Sequence, residues 1–362
     1  VYVNRVLLFD SLLCCRDCCL YPSEPDRNLR SRSIADCFTR IANISNIYSY
    51  EATLLEEITL IHHSHRESNH NDFSIQSLLS HGLSNFGPSI SVADINADGL
   101  EDIFIGGSYG QLSTIYFQSI NNTYNKVVLE DSLIYEDQGA ILFDVNNDGL
   151  LDIYVTSGGA ERYAGHKCYQ DRLYINKFDR FERGVLPEML TSTSSVSAAD
   201  FDKDGDLDLF VGGRVVPGSY PTPPQSYVLE NVDGSFVDVS EQFHKNLKSL
   251  GMVTSSLWTD YNNDNNIDLI VVGEFMPVTI FVNNGNEFDV ITIDNSKGLW
   301  NSIESADFDH DGDMDYVLGN IGLNSNYTAT ITHPLELHYS DFDSNGSIDL
   351  LYSQYEEGDY YP

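Results

Sequence analysis

The stretch AADFDKDGDLDLFVGG, Ala198 to Gly213, sets aspartates at Asp200, Asp202, Asp204, Asp206 and Asp208, then turns at once into apolar residues and a glycine pair. Carboxylates a few ångström apart repel one another unless a cation lies between them. The pattern is not isolated. VADINADGLEDIFIGG opens a loop at Asp94, LFDVNNDGLLDIYVTSGG at Asp144, WTDYNNDNNIDLIVVG at Asp260, SADFDHDGDMDYVLGN at Asp307 and YSDFDSNGSIDLLYS at Asp341. With the copy at Asp200 this makes six, spaced 50, 56, 60, 47 and 34 residues apart. Most of these intervals fit one four-stranded blade plus a generous loop, the period of propellers rather than of helical solenoids.

Numbered from its first residue, each loop carries oxygen-bearing side chains at positions 1, 3, 5 and 9. Position 1 is Asp94, Asp144, Asp200, Asp260, Asp307 and Asp341; position 3 is Asn96, Asn146, Asp202, Asn262, Asp309 and Asp343. Position 5 is Asp98, Asp148, Asp204, Asp264, Asp311 and Asn345; position 9 is Asp102, Asp152, Asp208, Asp268, Asp315 and Asp349. Position 6 is glycine in every copy but the fourth, where Asn265 stands. In a compact turn the alternate side chains converge, glycine or Asn admits a positive φ, and the position 7 carbonyl of Leu100, Leu150, Asp206, Asn266, Asp313 or Ser347 can complete the shell. This is the oxygen-rich, flexible coordination that suits calcium. The spacing begins like an EF-hand, but the last carboxylate falls at 9 instead of a Glu at 12 and a strand follows, so the EF-hand is rejected. The plainer reading, Asp-Gly and Asn-Gly hairpin turns without metal, accounts for one copy but poorly for six that keep oxygen at 1, 3 and 9. The loops at Asp200 and Asp307 offer four carboxylates and the others substitute one Asn, so affinity is expected to rank accordingly; in the Asp260 loop Asn265 replaces the glycine, which Asn tolerates because it visits the left-handed region more easily than other residues.

Both flanks of each loop read as buried strands rich in Val, Ile, Leu, Phe and Tyr. Further strand-like pieces follow, including STIYFQ, RLYINK, SYVLEN and VTIFVNN, commonly closed by Asn or Gly, which gives about four strands per unit. Period 3.6 is confined to SYEATLLEEITLIHH near residue 50, so the class is all-β with one N-terminal helix. The formal charge is −36, from 19 basic and 55 acidic residues, which argues against any partner held through phosphates, nucleic acid above all. Yet 22 tyrosines and 18 phenylalanines are too many for a disordered acidic chain.

Residues 1–50 differ, with six Arg against five acidic residues, and they hold Cys14, Cys15, Cys18, Cys19 and Cys37; only Cys168 lies beyond them, so the acidic part has no internal disulfide. LLCCRDCC lacks a second Cys/His pair at zinc spacing and reads as incidental; VLLFDSLL is a weak signal-peptide candidate. No run of eighteen apolar residues is present, so no membrane span is expected.

Together the pieces NFGPSISVADINADGLEDIFIGG, DRLYIN, DLDLFVGGRVVPGSYP, GMVTSSLWTDYNND, VVGEFMP, GLWNSIESADFDHDGDMDYVLGNIGLNSNY and LELHYSDFDSNGSIDLLYS resemble the FG-GAP/VCBS repeats of integrin-α-like β-propellers, closest to the large secreted VCBS-repeat proteins associated with ASPIC/UnbV domains. The resemblance implies a seven-bladed β-propeller of four-stranded blades, incomplete in this chain, with residues 1–58 as a separate N-terminal segment and 59–362 as the repeat domain. It also implies an extracellular or cell-surface calcium-binding module for adhesion, without catalysis, whose partner is a protein or a glycan. Sequons at Asn43, Asn121 and Asn326 are compatible with that location. Two other classes compete: an enzyme acting on polysaccharide from one face of the propeller, and a purely structural domain of a larger secreted protein.

Other motifs weigh less. GGSYG (106–110) satisfies G-x-S-x-G, but more strand is expected after Ser108 where a nucleophile elbow needs a helix. His62, His63, His65, His70 and His81 look like a transition-metal cluster, although that stretch resembles an ordinary family sequence. Ser108, Arg214, Glu274 and Asn320 each follow the glycine that ends a strand, so they are expected on one face as a polar ring, with Arg214 and Glu274 as the sole candidate catalytic pair. RVVPGSYPTPPQSY, with Arg214, Tyr220 and Tyr227, and GEFMP are excursions of the kind that carry binding groups.

Overall fold

Why the repeat unit folds as it does is clearest around Asp200. Alternating apolar residues favour strands on both sides, and the loop lets them pair antiparallel: Ser192–Ala199 lies on Asp208–Val215, which pairs with Tyr227–Val232, which pairs with Ser235–Asp238. The structure, a computed structural model, describes residues 61–362 other than Glu130, Asn286 and Leu323, and the backbone of Val6–Phe9. The cysteines and Asn43 of the N-terminal segment, and the expected helix up to residue 60, lie outside the described residues.

The same four-stranded meander is built from residues 90–128, 137–183 and 252–292. The last of these continues, through Glu274 opposite Leu299 and Met276 opposite Gly298, into Gly298–Ala306, which pairs with Asp315–Asn320, and Val6–Phe9 runs parallel to the latter strand. A fifth sheet has three strands, Glu336–Ser340, Asp349–Glu356 and Asp359–Tyr361. The fold is thus all-β, with four-stranded antiparallel sheets arranged as propeller blades. Among the described residues no helix is long and apolar enough to cross a membrane.

The six loop hairpins close in one register. The residue before position 1 always pairs with the Asp at position 9: Ala93 with Asp102, Phe143 with Asp152, Ala199 with Asp208, Thr259 with Asp268, Ala306 with Asp315 and Ser340 with Asp349. Every loop is therefore presented at the same end of its blade.

Period-two alternation then decides which neighbour each second strand faces. Leu209 and Val211 pack on Phe143, Tyr154 and Leu173 of the preceding blade, whereas Phe210 packs on Val253, Leu269, Val271 and Phe281 of the next. Ile270 and Val272 turn the other way, onto Trp300, Ile303, Tyr316 and Leu318. Phe104 and Ile115 meet Ile153, Val155 and Tyr174 between the first two blades. The core is thus a series of interblade layers, each buried side chain contributing roughly 1.5–3 kcal/mol. A further cluster joins Leu79 and Leu83 of the segment before the first blade to Ala160, Val215, Tyr220, Met252 and Leu350. That segment is a strap packed against residues of several blades.

Candidate metal centres

The loops share one hydrogen-bond frame. The position 1 carboxylate of Asp94 accepts the N–H groups of Asp98 (3.0 Å) and Gly99 (2.8 Å), and Asp98 accepts that of Leu100 (2.9 Å). Asp144 accepts from Asp148 and Gly149, Asp260 from Asp264 and Asn265, Asp307 from Asp311 and Gly312, and Asp341 from Asn345 and Gly346. The frame bends the chain twice into the left-handed region. Position 6 has φ between 68° at Asn265 and 101° at Gly205, as the sequence suggests, and position 4 has φ between 55° at Asn147 and 66° at Lys203. The second bend was not legible, because position 4 is variously Ala97, Asn147, Lys203, Asn263, His310 and Ser344.

Where position 3 is Asp, three carboxylate oxygens lie within 4.8 Å of one another: Asp200, Asp202 and Asp208; Asp307, Asp309 and Asp311; Asp341, Asp343 and Asp349. Where position 3 is Asn96, Asn146 or Asn262, no such group of three carboxylates forms among the described residues. At Asp200 the buried Oδ1 has no hydrogen-bond partner, although position 1 otherwise uses both oxygens. An orphaned, buried carboxylate oxygen beside two other carboxylates is chemistry that fits a calcium ion.

Position 9 has a second task. Asp102, Asp152, Asp208 and Asp268 are each fully buried. One oxygen accepts the position 2 N–H and the other the N–H at the end of the third strand: for Asp152 these are Val145 (3.0 Å) and Asn176 (2.7 Å). Burial pushes the carboxyl of Asp208 up to about 7 and that of Asp268 up to about 6. Accepting one N–H leaves a lone pair on each oxygen, so this clasp and metal ligation are compatible.

Two further kinds of contact tie neighbouring loops together along the first five. The asparagines that end the third strands send Nδ2 to a position 2 carbonyl of the preceding blade: Asn176 to Ile95 (2.9 Å), Asn231 to Val145 (2.9 Å) and Asn283 to Phe201 (2.9 Å). Position 4 side chains reach position 7 of the next loop, Asn147 to Asp206 (2.7 Å), Lys203 to Asn266 (2.9 Å) and Asn263 to Asp313 (2.9 Å).

Of the expected polar ring, the structure joins only Arg214 and Glu274. Arg214 Nη2 donates to Glu274 Oε1 (2.5 Å), His81 Nε2 lies 3.1 Å from the same oxygen, and the Tyr220 hydroxyl donates to Oε2 (2.9 Å). Burial alone would push the Glu274 carboxyl up, but Arg214 and His81 outweigh it and hold it down at about 2. A carboxyl held below its ordinary 4.5 adds stability above that value and loses it as pH falls through about 2. Glu274→Gln should therefore be clearly destabilised at pH 7, with the gap to wild type closing between pH 4.5 and 2; denaturant midpoints across that range measure it, and a constant gap would refute the assignment. Asn320 pairs with Trp300 and takes the place that Gly273 holds opposite Val253, one residue out of register with Glu274. Ser108 is fully buried, donates to the Arg66 carbonyl (2.5 Å), and is followed by a turn bridged to Gln111 rather than a helix. The histidines disperse, His63 to Tyr116, His65 to Glu67 and His81 to Glu274.

FG-GAP-like repeats match residues 94–155, 144–211 and 260–318, with no bearing on the ASPIC/UnbV association. No curated protein matches the sequence. Among solved structures the chain is similar to an Agrocybe aegerita lectin described by its specific recognition of non-reducing terminal N-acetylglucosamine, at 16% identity and TM-score 0.36 over 77% of this chain and 65% of the lectin, less than two thirds of its length. It is also similar to the V. cholerae biofilm matrix protein Bap1, at 13% identity and TM-score 0.37 over 74% of this chain and 37% of that one. A third is BBS1N, solved in complex with ARL6DN, at 11% identity and TM-score 0.38 over 76% and 77%. Repeat spacing, loop frame and sequence match agree: residues 94–211 and 260–318 of this chain are FG-GAP-like repeats.

Proposed function

We propose that the chain is an extracytoplasmic, calcium-stabilised β-propeller that works as a binding or adhesion module for a protein or glycan at the cell surface. The observation that carries the reading is the convergence of three carboxylates in the Asp200, Asp307 and Asp341 loops, with an unpartnered buried oxygen on Asp200. Calcium would be held by oxygens at positions 1, 3, 5 and 9 with the position 7 carbonyl, and would supply the positive charge that cancels carboxylate repulsion. Its role is structural. Each loop sets the angle between two strands, and those at Asp94, Asp144 and Asp200 are wired to the next blade by Asn176, Asn231 and Asn283, so pinning the loops stiffens the surface that a partner meets.

The enzymatic reading rested on Arg214 and Glu274. Both Glu274 oxygens are engaged by Arg214, His81 and Tyr220, which favours a structural knot over a free acid or base.

Thermal unfolding in excess EGTA, in millimolar calcium and in magnesium tests the metal. A native-state ligand at 100 times its dissociation constant adds about 2.7 kcal/mol per site, so several filled loops should raise the midpoint by many degrees with calcium alone. Equal midpoints in all three would sink the reading. Saturable glycan or cell-surface protein capture by the calcium-loaded chain separates a binding module from a purely structural one.

A further inference from the structure

The six loops share a frame, yet the contacts that join them are not alike. At three joints a position 4 side chain reaches position 7 of the following loop. Two of these joints are neutral donors: Asn147 Nδ2 to Asp206 Oδ1 (2.7 Å) and Asn263 Nδ2 to Asp313 Oδ1 (2.9 Å). The third carries a charge. Lys203 Nζ donates to Asn266 Oδ1 (2.9 Å), so the Asp260 loop holds an ammonium contributed by its neighbour. Among the described residues no other Lys or Arg is hydrogen-bonded or ion-paired to any of the six loops.

The distribution of carboxylates shows why this joint matters. Lys203 belongs to the Asp200 loop, which has five aspartates, but its side chain leaves them for a loop that has three, Asp260, Asp264 and Asp268. Three carboxylates do not by themselves disqualify a loop, since those at Asp144 and Asp341 have no more. The ammonium makes the difference. It supplies the positive charge that the three carboxylates call for, and it sits on Asn266, the residue whose carbonyl a calcium ion would need. A second cation at that place is repelled by the first. Lys203 is exposed, which weakens the repulsion without removing it, because charges closer than the Debye length, about 10 Å at 0.1 M salt, still act on one another.

The rest of the loop is satisfied from within the protein. Asp260 accepts the N–H groups of Asp264 (3.0 Å) and Asn265 (2.8 Å), Asn262 Nδ2 donates to Asp264 Oδ2 (3.0 Å), and Asp268 accepts from Tyr261 (2.9 Å) and Asn283 (2.7 Å). No side-chain oxygen of this loop is buried without a partner, in contrast to Asp200 Oδ1. We propose that Lys203 is a built-in counter-ion that keeps calcium out of the Asp260 loop, so that the loops on either side of it fill and this one stays a metal-free clasp. Lys203 thereby sets which loops take the metal. The inference rests on the calcium reading above.

Hydrogen exchange of the full chain read by mass spectrometry, with calcium titrated from EGTA to the millimolar range in 0.1 M salt, tests this loop by loop. Calcium should slow exchange across 200–208 and 307–315 and leave 260–268 unchanged. Lys203→Met keeps the aliphatic stem and removes the charge. It should bring calcium-dependent protection to 260–268 at a concentration at least tenfold lower than wild type needs, while 144–152 keeps its wild-type midpoint. Lys203→Arg, which retains the charge, should behave as wild type. Protection of 260–268 in wild type over the same calcium range as 200–208, no gain in Lys203→Met, or an equal gain in Lys203→Arg would each overturn the proposal. A gain from Asn265→Gly without one from Lys203→Met would assign the exclusion to the backbone at position 6 and overturn it as well. If no loop gains protection, the calcium reading fails and takes this inference with it; if all six gain alike, this inference alone falls.

Discussion

Replacing Asp137 by alanine is expected to cost about 3–5 kcal/mol of stability, the usual penalty for removing one partner of a buried ion pair. Asp137 is 1% and Arg172 2% exposed, and the guanidinium pairs with Asp137 Oδ1 while lying 4.2 Å from the centre of the Tyr135 ring. The other carboxylate oxygen accepts from the Gly107 N–H (2.7 Å) and the Ser113 hydroxyl (2.5 Å) of the first blade. One side chain thus joins two blades, and its loss leaves a buried cation and two orphaned donors. Burial by itself would lower the Arg172 pKa, yet Asp137 more than compensates and raises it. In a double-mutant cycle, Asp137→Ala with Arg172→Met should be less destabilised than Asp137→Ala alone, because the unpaired charge is gone; recovery is partial, since Gly107 and Ser113 still lack an acceptor. Urea unfolding of the three variants decides it. Additive costs would show that the pair contributes no coupling and that the interblade joint rests on packing alone.

The contrast between what was and was not legible follows from distance along the chain. Loop spacing, the glycine at position 6 and strand alternation are local, so the residues declare them. The left-handed bend at position 4 is imposed by the N–H groups of positions 5 and 6 reaching back to position 1, whatever side chain position 4 carries. Asn176, Asn231 and Asn283 stand out at the ends of RLYIN, YVLEN and TIFVN, but their targets lie 81, 86 and 82 residues earlier, in a blade whose neighbour only the fold reveals. Arg214 and Glu274 were recognisable because both follow a glycine in the same register, although their strands run on past it to Val215 and Met276; Asn320 misled because its glycine sits one residue earlier relative to the partner strand.

Position 9 carries two roles that a single substitution pair can separate. In Asp152→Ala the N–H groups of Val145 and Asn176 both lose their acceptor in a fully buried place. At about 1–3 kcal/mol for each unsatisfied buried donor, the cost is on the order of 2–6 kcal/mol, and it should appear in EGTA as fully as in calcium, because the clasp needs no metal. Asp148, at position 5 of the same loop, is exposed and accepts the Leu150 N–H on the surface (3.0 Å). Asp148→Ala should therefore cost under about 1 kcal/mol in EGTA, as surface changes do, and lose part of the calcium-dependent gain. If the Asp152 variant were destabilised only in calcium, position 9 would be a ligand and no clasp. If both variants lost stability equally in EGTA, the loop would be a hydrogen-bonded turn held at every position, and the carboxylates at 1, 3 and 5 would owe their recurrence to backbone geometry rather than to a cation. Because the third strand ends at Asn176, which also holds the Ile95 carbonyl of the first blade, loosening Asp152 should also expose the Ile95 and Asn176 amides to hydrogen exchange, whereas loosening Asp148 should leave them protected.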